Sequence, residues 1–305
     1  MQKKINASID AICRHVIGKQ EQVTLAFSCL LANGHLLIED LPGMGKTTLS
    51  HALANVLGLQ FSRIQFTSDL LPADMLGVNI FDSNEQAFKF HPGPIFNQLV
   101  LADEINRASP KTQSALLEAM EEKQVSLDGQ THSLPSPFFV IGTQNPMHQS
   151  GTYPLPESQL DRFLMRIQLG YPDWQAEKLM LSSAQSKTEK ALSAVMQLSE
   201  FSQAQQAAAQ IHSSDAVIDY ILRLVTYSRE SGKFPNPLSP RASKALLQAS
   251  RAWAYIHGRD YLVPEDVQAV LPAVAEHRLR SSLTDLHGQG SLSHQLLEAV
   301  DPLAA

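Results

Sequence analysis

The stretch "EDLPGMGKTT", Glu39–Thr48, follows the apolar run "HLLI" and precedes "LSHALANVLG", where apolar residues recur at helical spacing up to Gly58. Strand, glycine turn and helix form the setting in which backbone N–H groups at a helix N-terminus converge on phosphate oxygens. The generic G-x-x-x-x-G-K-[ST] pattern has a glycine where this chain has Asp40. Aspartate is among the few non-glycine residues that tolerate left-handed backbone geometry, so the loop can still turn there if the carboxylate points away from the phosphates. The candidate nucleotide-binding residues are Pro42, Gly43, Met44, Gly45, Lys46, Thr47 and Thr48. Gly43 and Gly45 free the backbone, Lys46 reaches toward the β- and γ-phosphates, and Thr47 presents its hydroxyl to Mg²⁺.

Further along the chain, "LVLADE" (Leu99–Glu104) and "FFVIGTQN" (Phe138–Asn145) are continuous apolar runs, as expected of strands buried on both faces of a parallel sheet. The first ends in two acids. Asp103 is the candidate to hold the metal through its water, and Glu104 to polarise the attacking water. The second ends in Asn145, a neutral side chain able to orient that water or touch the γ-phosphate. Arg162, in "ESQLDRFLMRI", is placed to neutralise transition-state charge on a neighbouring subunit's nucleotide. Arg241, in "LSPRASKALL", sits in the first turn of a lid helix, where it can report the γ-phosphate, and Arg107 in "EINRAS" is a weaker candidate for an inter-subunit role.

At 305 residues and 44% hydrophobic content, the chain has room for a larger and a smaller domain. Its formal net charge of −6 gives no basic excess for a broad grip on nucleic acid or anionic membrane. The two cysteines, Cys13 and Cys29, show no metal-site spacing and read as reduced thiols. No run reaches the length of a membrane span and the opening segment is too polar for a signal peptide, so a cytoplasmic protein is expected. The first half alternates strand and helix, which predicts a three-layer α/β core with a parallel sheet. Asp128-Gly129 within "VSLDGQTHSL" predicts a β-hairpin. From about Tyr171 the sequence turns helical, with a polar connector "SAQSKTEKALS", and a smaller all-α domain follows; the expected division is 1–175 and 176–305.

The ordered set "LPGMGKTT", "LVLADEINRASPKTQSALLEAMEE", "FFVIGTQNP", "YPLPESQLDRF" and "LSPRA" resembles the MoxR family of AAA+ ATPases over nearly the whole chain. The resemblance implies a P-loop NTPase core with a helical lid. It makes Gly43, Gly45, Lys46 and Thr47 the Walker A motif, Asp103 and Glu104 Walker B, Asn145 sensor 1, Arg162 an arginine finger and Arg241 sensor 2. Val16 and Ile17 in "HVIGKQEQV" become candidate adenine contacts. "DLLPADMLGVNIFDSNEQAFKFHPGPIF", residues 69–96, resembles the insert that interrupts the second core helix of such proteins, and the Asp128-Gly129 hairpin resembles the one preceding sensor 1. In ring-forming relatives both face the central channel or upper surface.

The function so implied is ATP hydrolysis with Mg²⁺ by a ring, a homo-hexamer, that remodels or assembles a protein partner. The partner expected by resemblance is a protein with a von Willebrand factor A domain. The chain carries no D-x-S-x-S motif of that domain, so the partner would be a separate polypeptide. Two other readings stand beside this one: a nucleotide-gated assembly adaptor with little turnover, and a chelatase-like or DNA-motor subunit.

Overall fold

A computed structural model describes residues 1–145, 151–183, 192–280 and 291–302. Two helices, α1 (Gln2–His15) and α2 (Gln20–Leu31), lead into β1 (Leu36–Glu39), the glycine loop and α3 (Lys46–Val56). Next come β2 (Phe61–Gln65), the short α4 (Pro72–Leu76), the hairpin strands β3 (Gly77–Asp82) and β4 (Ala87–Pro92), β5 (Leu99–Asp103) and α5 (Pro110–Glu122). The core closes with the hairpin strands β6 (Gln124–Leu127) and β7 (Gln130–Ser133), then β8 (Phe139–Gln144), α6 (Glu157–Leu160) and β9 (Met165–Ile167). The remaining helices are α7 (Trp174–Ser183), α8 (Leu198–Ala209), α9 (Asp215–Glu230), α10 (Pro240–Ile256), α11 (Pro264–Leu279) and α12 (Leu292–Ala299).

The five-stranded sheet has the order β2-β5-β8-β1-β9, and every pairing in it is parallel. The expected α/β core with a helical lid is therefore present. Alternate residues of each strand serve opposite faces. Leu36 and Ile38 pack with α1, α2 and α3, whereas Leu37 joins Val100, Val140, Leu116 and Leu117 on the side of α5. The first of these cores continues without interruption into the lid helices as far as Val300.

Two local expectations are met closely. Gly58, at φ +63°, follows the end of α3, and Asp128 and Gly129, at φ +50° and +78°, make the tight turn between β6 and β7. The region 69–96 carries little helix. Its helical part is only the stub α4, after which the antiparallel β3–β4 hairpin leads back toward β5. Val78, Ile80, Phe81 and Phe88 of that hairpin are exposed. The two hairpins touch: Asn79 Nδ2 donates to Asp128 Oδ2 at 2.7 Å, and the Phe90 ring stacks on His132 at 3.9 Å between centroids. Most of the polar connector, 184–191, and Pro146 of the sensor 1 stretch lie outside the described residues.

Candidate nucleotide site

In a parallel sheet all strands end on one edge, and that edge collects the loop residues. Gly45 is the N-cap of α3 at φ +86°, and Gly43 stands at φ +84°. A Cβ built on either meets nothing within 4 Å, so backbone conformation, and not crowding, calls for glycine at both. The N–H groups of Gly43, Met44, Gly45 and Lys46 find no acceptor among the described residues, leaving a set of orphan donors at a helix N-terminus. Lys46 rests its ammonium on the carbonyls of Asp40 and Leu41, at 2.7 Å each. Burial lowers its pKa, and the charges of Asp40, Asp103 and Glu104 oppose that shift. Thr47 is half-buried beside it; Pro42 and Thr48 are exposed and Met44 is half-buried against the core.

Asp40 does not adopt the left-handed geometry anticipated for it. Its N–H continues the β1–β8 ladder by bonding Gln144 O at 3.2 Å, so the chain is still extended there and turns only at the glycines. The carboxylate does point away from the loop: Oδ1 accepts from Leu41 N–H at 3.0 Å and Oδ2 from Gly170 N–H at 2.6 Å, tying the end of β1 to the end of β9. Beneath it, fully buried Glu39 pairs with Arg166 and accepts from Gln144 Nε2 at 2.8 Å.

The two acids at the end of β5 are held tightly. Asp103 Oδ1 accepts from the Thr143 hydroxyl at 2.6 Å, and Oδ2 accepts from Arg63 at 2.6 and 3.1 Å. Glu104 is left-handed, at φ +56°, a strained conformation for a non-glycine residue. Its N–H donates to Thr143 Oγ1 at 2.9 Å, and its carboxylate meets Gln65 Nε2 at 3.1 Å and Arg107 Nε at 3.2 Å. Arg107 thus stands beside the chain's own Glu104. Asn145, at the end of β8, accepts from Asn106 Nδ2 through its carbonyl at 3.4 Å. Lys46, Thr47, Asp103, Glu104 and Asn145 accordingly share one edge of the sheet.

Arg162 and Arg241 lie on the other edge. Arg162 precedes β9, whose first residue, Met165, is in register with Leu36 at the start of β1. Both arginines pair with Glu121 near the C-terminal end of α5, Arg162 at 3.0 Å. The neighbouring carbonyl of Met120 bonds His35, immediately before β1. A strand of four or five residues at ~3.3 Å each separates the two edges by about 15 Å. Val16 is buried in the core at the end of α1, and Ile17 is half-buried. Gly18 packs so closely on α7 that a Cβ would lie 2.6 Å from the Ala176 Cβ. Lys19 Nζ donates to Tyr171 O at 2.6 Å, so the Val16–Lys19 turn and the loop at Asp40 are both fastened to the segment after β9.

The comparisons agree with this architecture. Residues 35–165 match the model of the ATPase family associated with various cellular activities (AAA), and residues 229–296 match an AAA lid domain. The chain is 45% identical over 277 residues to the uncharacterised protein YeaC of Bacillus subtilis, covering 90% of this chain and 86% of that one. It is 39% identical over 284 residues to Chaperone MoxR1 of Mycobacterium tuberculosis, covering 90% and 75%. The chain belongs to the MoxR family of AAA+ ATPases. Among solved structures, a protein from Cytophaga hutchinsonii described as a candidate ATPase superimposes with a TM-score of 0.89 at 33% identity, over 98% of this chain and 95% of that one. As a MoxR-type ATPase the chain binds nucleotide.

Five positions in the MoxR-type site are absent from the sequence reading: Thr143, Gln144, Arg63, Gln65 and Glu39. Each is a polar residue in a strand of the core sheet, and Thr143, Gln144 and Glu39 are fully buried. That pattern is a usable signal, because a polar side chain buried in a central strand needs a partner. No helix among the described residues is long and apolar enough to cross a membrane.

Proposed function

We propose that the chain is one subunit of a ring, a homo-hexamer, in which Mg²⁺-dependent ATP hydrolysis drives remodelling or assembly of a protein partner in the cytoplasm. The observation that carries this reading is the separation of Lys46, Asp103 and Glu104 from Arg162 and Arg241 across the sheet. A guanidinium on the far edge cannot reach its own subunit's γ-phosphate in this conformation, but it can complete the site of a subunit docked there. Hydrolysis would then depend on assembly.

Within one subunit, the orphan N–H groups of Gly43–Lys46 would bind the β- and γ-phosphate oxygens, and the Lys46 ammonium would exchange two carbonyls for phosphate. Thr47 and, through a water, Asp103 would hold the metal, a donor set that suits an ion reluctant to shed its waters. Bound there, Mg²⁺ supplies charge neutralisation on the β- and γ-phosphates. Thr143 holds Asp103 and the Glu104 backbone in fixed relation. Glu104 would accept the proton of the attacking water once its carboxylate leaves Gln65 and Arg107, with Asn145 orienting that water. The Val16–Lys19 turn would receive the base. A core of residues 1–175 and a lid of 176–305 is the division that suits this scheme.

The relative named Chaperone MoxR1 supports a protein client. A partner with a von Willebrand factor A domain is the class we propose. Sedimentation with and without ATP, together with steady-state hydrolysis as a function of protein concentration, tests the ring. Specific activity that rises steeply with assembly is expected, and activity independent of concentration in a monomer would refute it. Comparing the wild-type rate with Glu104→Gln separates a working hydrolase from a nucleotide-gated adaptor, and addition of DNA tests the DNA-motor reading.

A further inference from the structure

Glu121 occupies an electrostatically poor position. It lies in the last turn of α5, where the helix presents its negative end and no basic residue of the helix offsets it. What holds its carboxylate there is a pair of guanidinium groups from distant parts of the chain, Arg162 on Oε2 and Arg241 on Oε1. Two cations on adjacent oxygens of one carboxylate leave a net positive charge, and all three side chains are partly open to solvent.

The elements carrying the arginines are also fastened to each other. Asp161, next to Arg162, accepts from Arg278 Nε of α11 at 2.6 Å and from Ser239 Oγ at 3.2 Å. Ser239 is the N-cap of α10, two residues before Arg241. Core and lid thus present their two arginines side by side. The Arg162 guanidinium is not saturated there: its Nε is buried and has no hydrogen-bond partner. A donor left in that state is costly unless an acceptor arrives.

We infer that Glu121 is a positioning residue for hydrolysis in the neighbouring subunit, holding Arg162 and Arg241 together as a two-guanidinium anion clamp aimed away from the chain's own nucleotide. The inference rests on the ring reading above. Without the shared carboxylate the two like charges repel and each long side chain regains its rotamer freedom, so the clamp is no longer pre-formed when a γ-phosphate approaches. The phosphate then replaces the carboxylate as the shared anion.

Mixed rings test this. Subunits carrying Lys46→Ala supply arginines but no nucleotide site, and subunits carrying Arg162→Ala supply a nucleotide site but no finger, so hydrolysis by the mixture reports arginines acting across the interface. Placing Glu121→Gln in the Lys46→Ala subunits is expected to lower the mixture's kcat about tenfold with little change in KM, whereas placing it in the Arg162→Ala subunits lowers kcat by less than about twofold. Equal losses in both arrangements, or no loss in either, would overturn the role of Glu121 while leaving the ring intact. A mixture that shows no hydrolysis even with Glu121 unaltered would overturn the ring reading and this inference together. Melting temperatures of the Glu121→Gln subunits, expected within a few degrees of their parents, guard against a folding defect.

Discussion

Thr143 gives its hydroxyl hydrogen to Asp103 Oδ1 across 2.6 Å, joining the ends of two adjacent strands. Thr143 Oγ1 in turn accepts the N–H of Glu104 at 2.9 Å, so one side chain sets the carboxylate of Asp103 and the backbone of Glu104, the acids proposed to hold the metal and to activate water. No part of the chain within 30 residues of Thr143 supplies either partner, which is why a motif reading of β5 alone passes over it.

Thr143→Val removes the hydroxyl at nearly constant volume and leaves a buried carboxylate oxygen and an N–H without their partner, at a cost of about 2 kcal/mol in stability. Hydrolysis is expected to fall by one to two orders of magnitude, roughly the loss of one well-placed catalytic support, while ATP affinity changes by no more than about threefold. Denaturant unfolding and nucleotide titration, run beside steady-state kinetics, measure the three quantities separately. An unchanged rate would show that Asp103 and Glu104 need no support from β8.

Lys46→Ala and Arg162→Ala should fail in different ways. The first removes the charge seated over the loop carbonyls, and ATP affinity should fall at least a hundredfold, about 2.7 kcal/mol. The second leaves the chain's own loop untouched, so affinity persists while turnover drops by about 10³, the scale of losing an arginine finger. Equal losses of affinity in a fluorescent-nucleotide titration would contradict the assignment of Arg162 to a neighbour's site.

Arg166→Met strands Glu39 in the sheet below the glycine loop, with only Gln144 still bonded to it. Removing one partner of a buried ion pair costs about 3–5 kcal/mol. A large fall in the denaturant midpoint is therefore expected, and the double change Arg166→Met with Glu39→Gln should recover part of it. If the single change is as stable as the parent, the pair beneath the loop is dispensable.

Stability should decline in mild acid through His35. Its Nδ1 accepts from Val140 N–H at 3.0 Å while Nε2 meets Met120 O at 3.2 Å, an arrangement that requires the neutral ring with its proton on Nε2. Burial pushes the pKa down from 6.5 to about 4. The unfolded chain takes up this proton first, so stability is whole above pH 6.5 and is lost as pH falls from there toward 4, by about 3 kcal/mol in total. Urea midpoints measured between pH 7.5 and 4.5 should show that loss, and His35→Gln should have a lower midpoint at pH 7.5 but a flatter profile. A parallel decline in both proteins would assign the acid sensitivity to other groups, such as buried His277, whose pKa burial also lowers.

The sequence by itself determined the elements and which polar residues stand at their ends. Continuous apolar runs become the buried strands β1, β5 and β8, because only a strand covered on both faces tolerates them. Glycines at 43 and 45, Lys46 and the acids 103 and 104 are legible because each serves through its own backbone geometry or its place on a strand end. The insert at 69–96 was legible as an insertion and not as a hairpin, since among the described residues its strands pair only with each other and alternate weakly. Tertiary structure decided the rest. Strand order arises from pairings between residues as far apart as Leu36 and Met165, and that order brings Thr143 to Asp103 and Gln65 to Glu104. It also sends Arg162 and Arg241 to the edge opposite Lys46, where a single carboxylate at the end of α5 gathers both. Local sequence cannot encode which side of a sheet two distant arginines will share, because that depends on the direction in which α5, β9 and α10 are threaded through one common core.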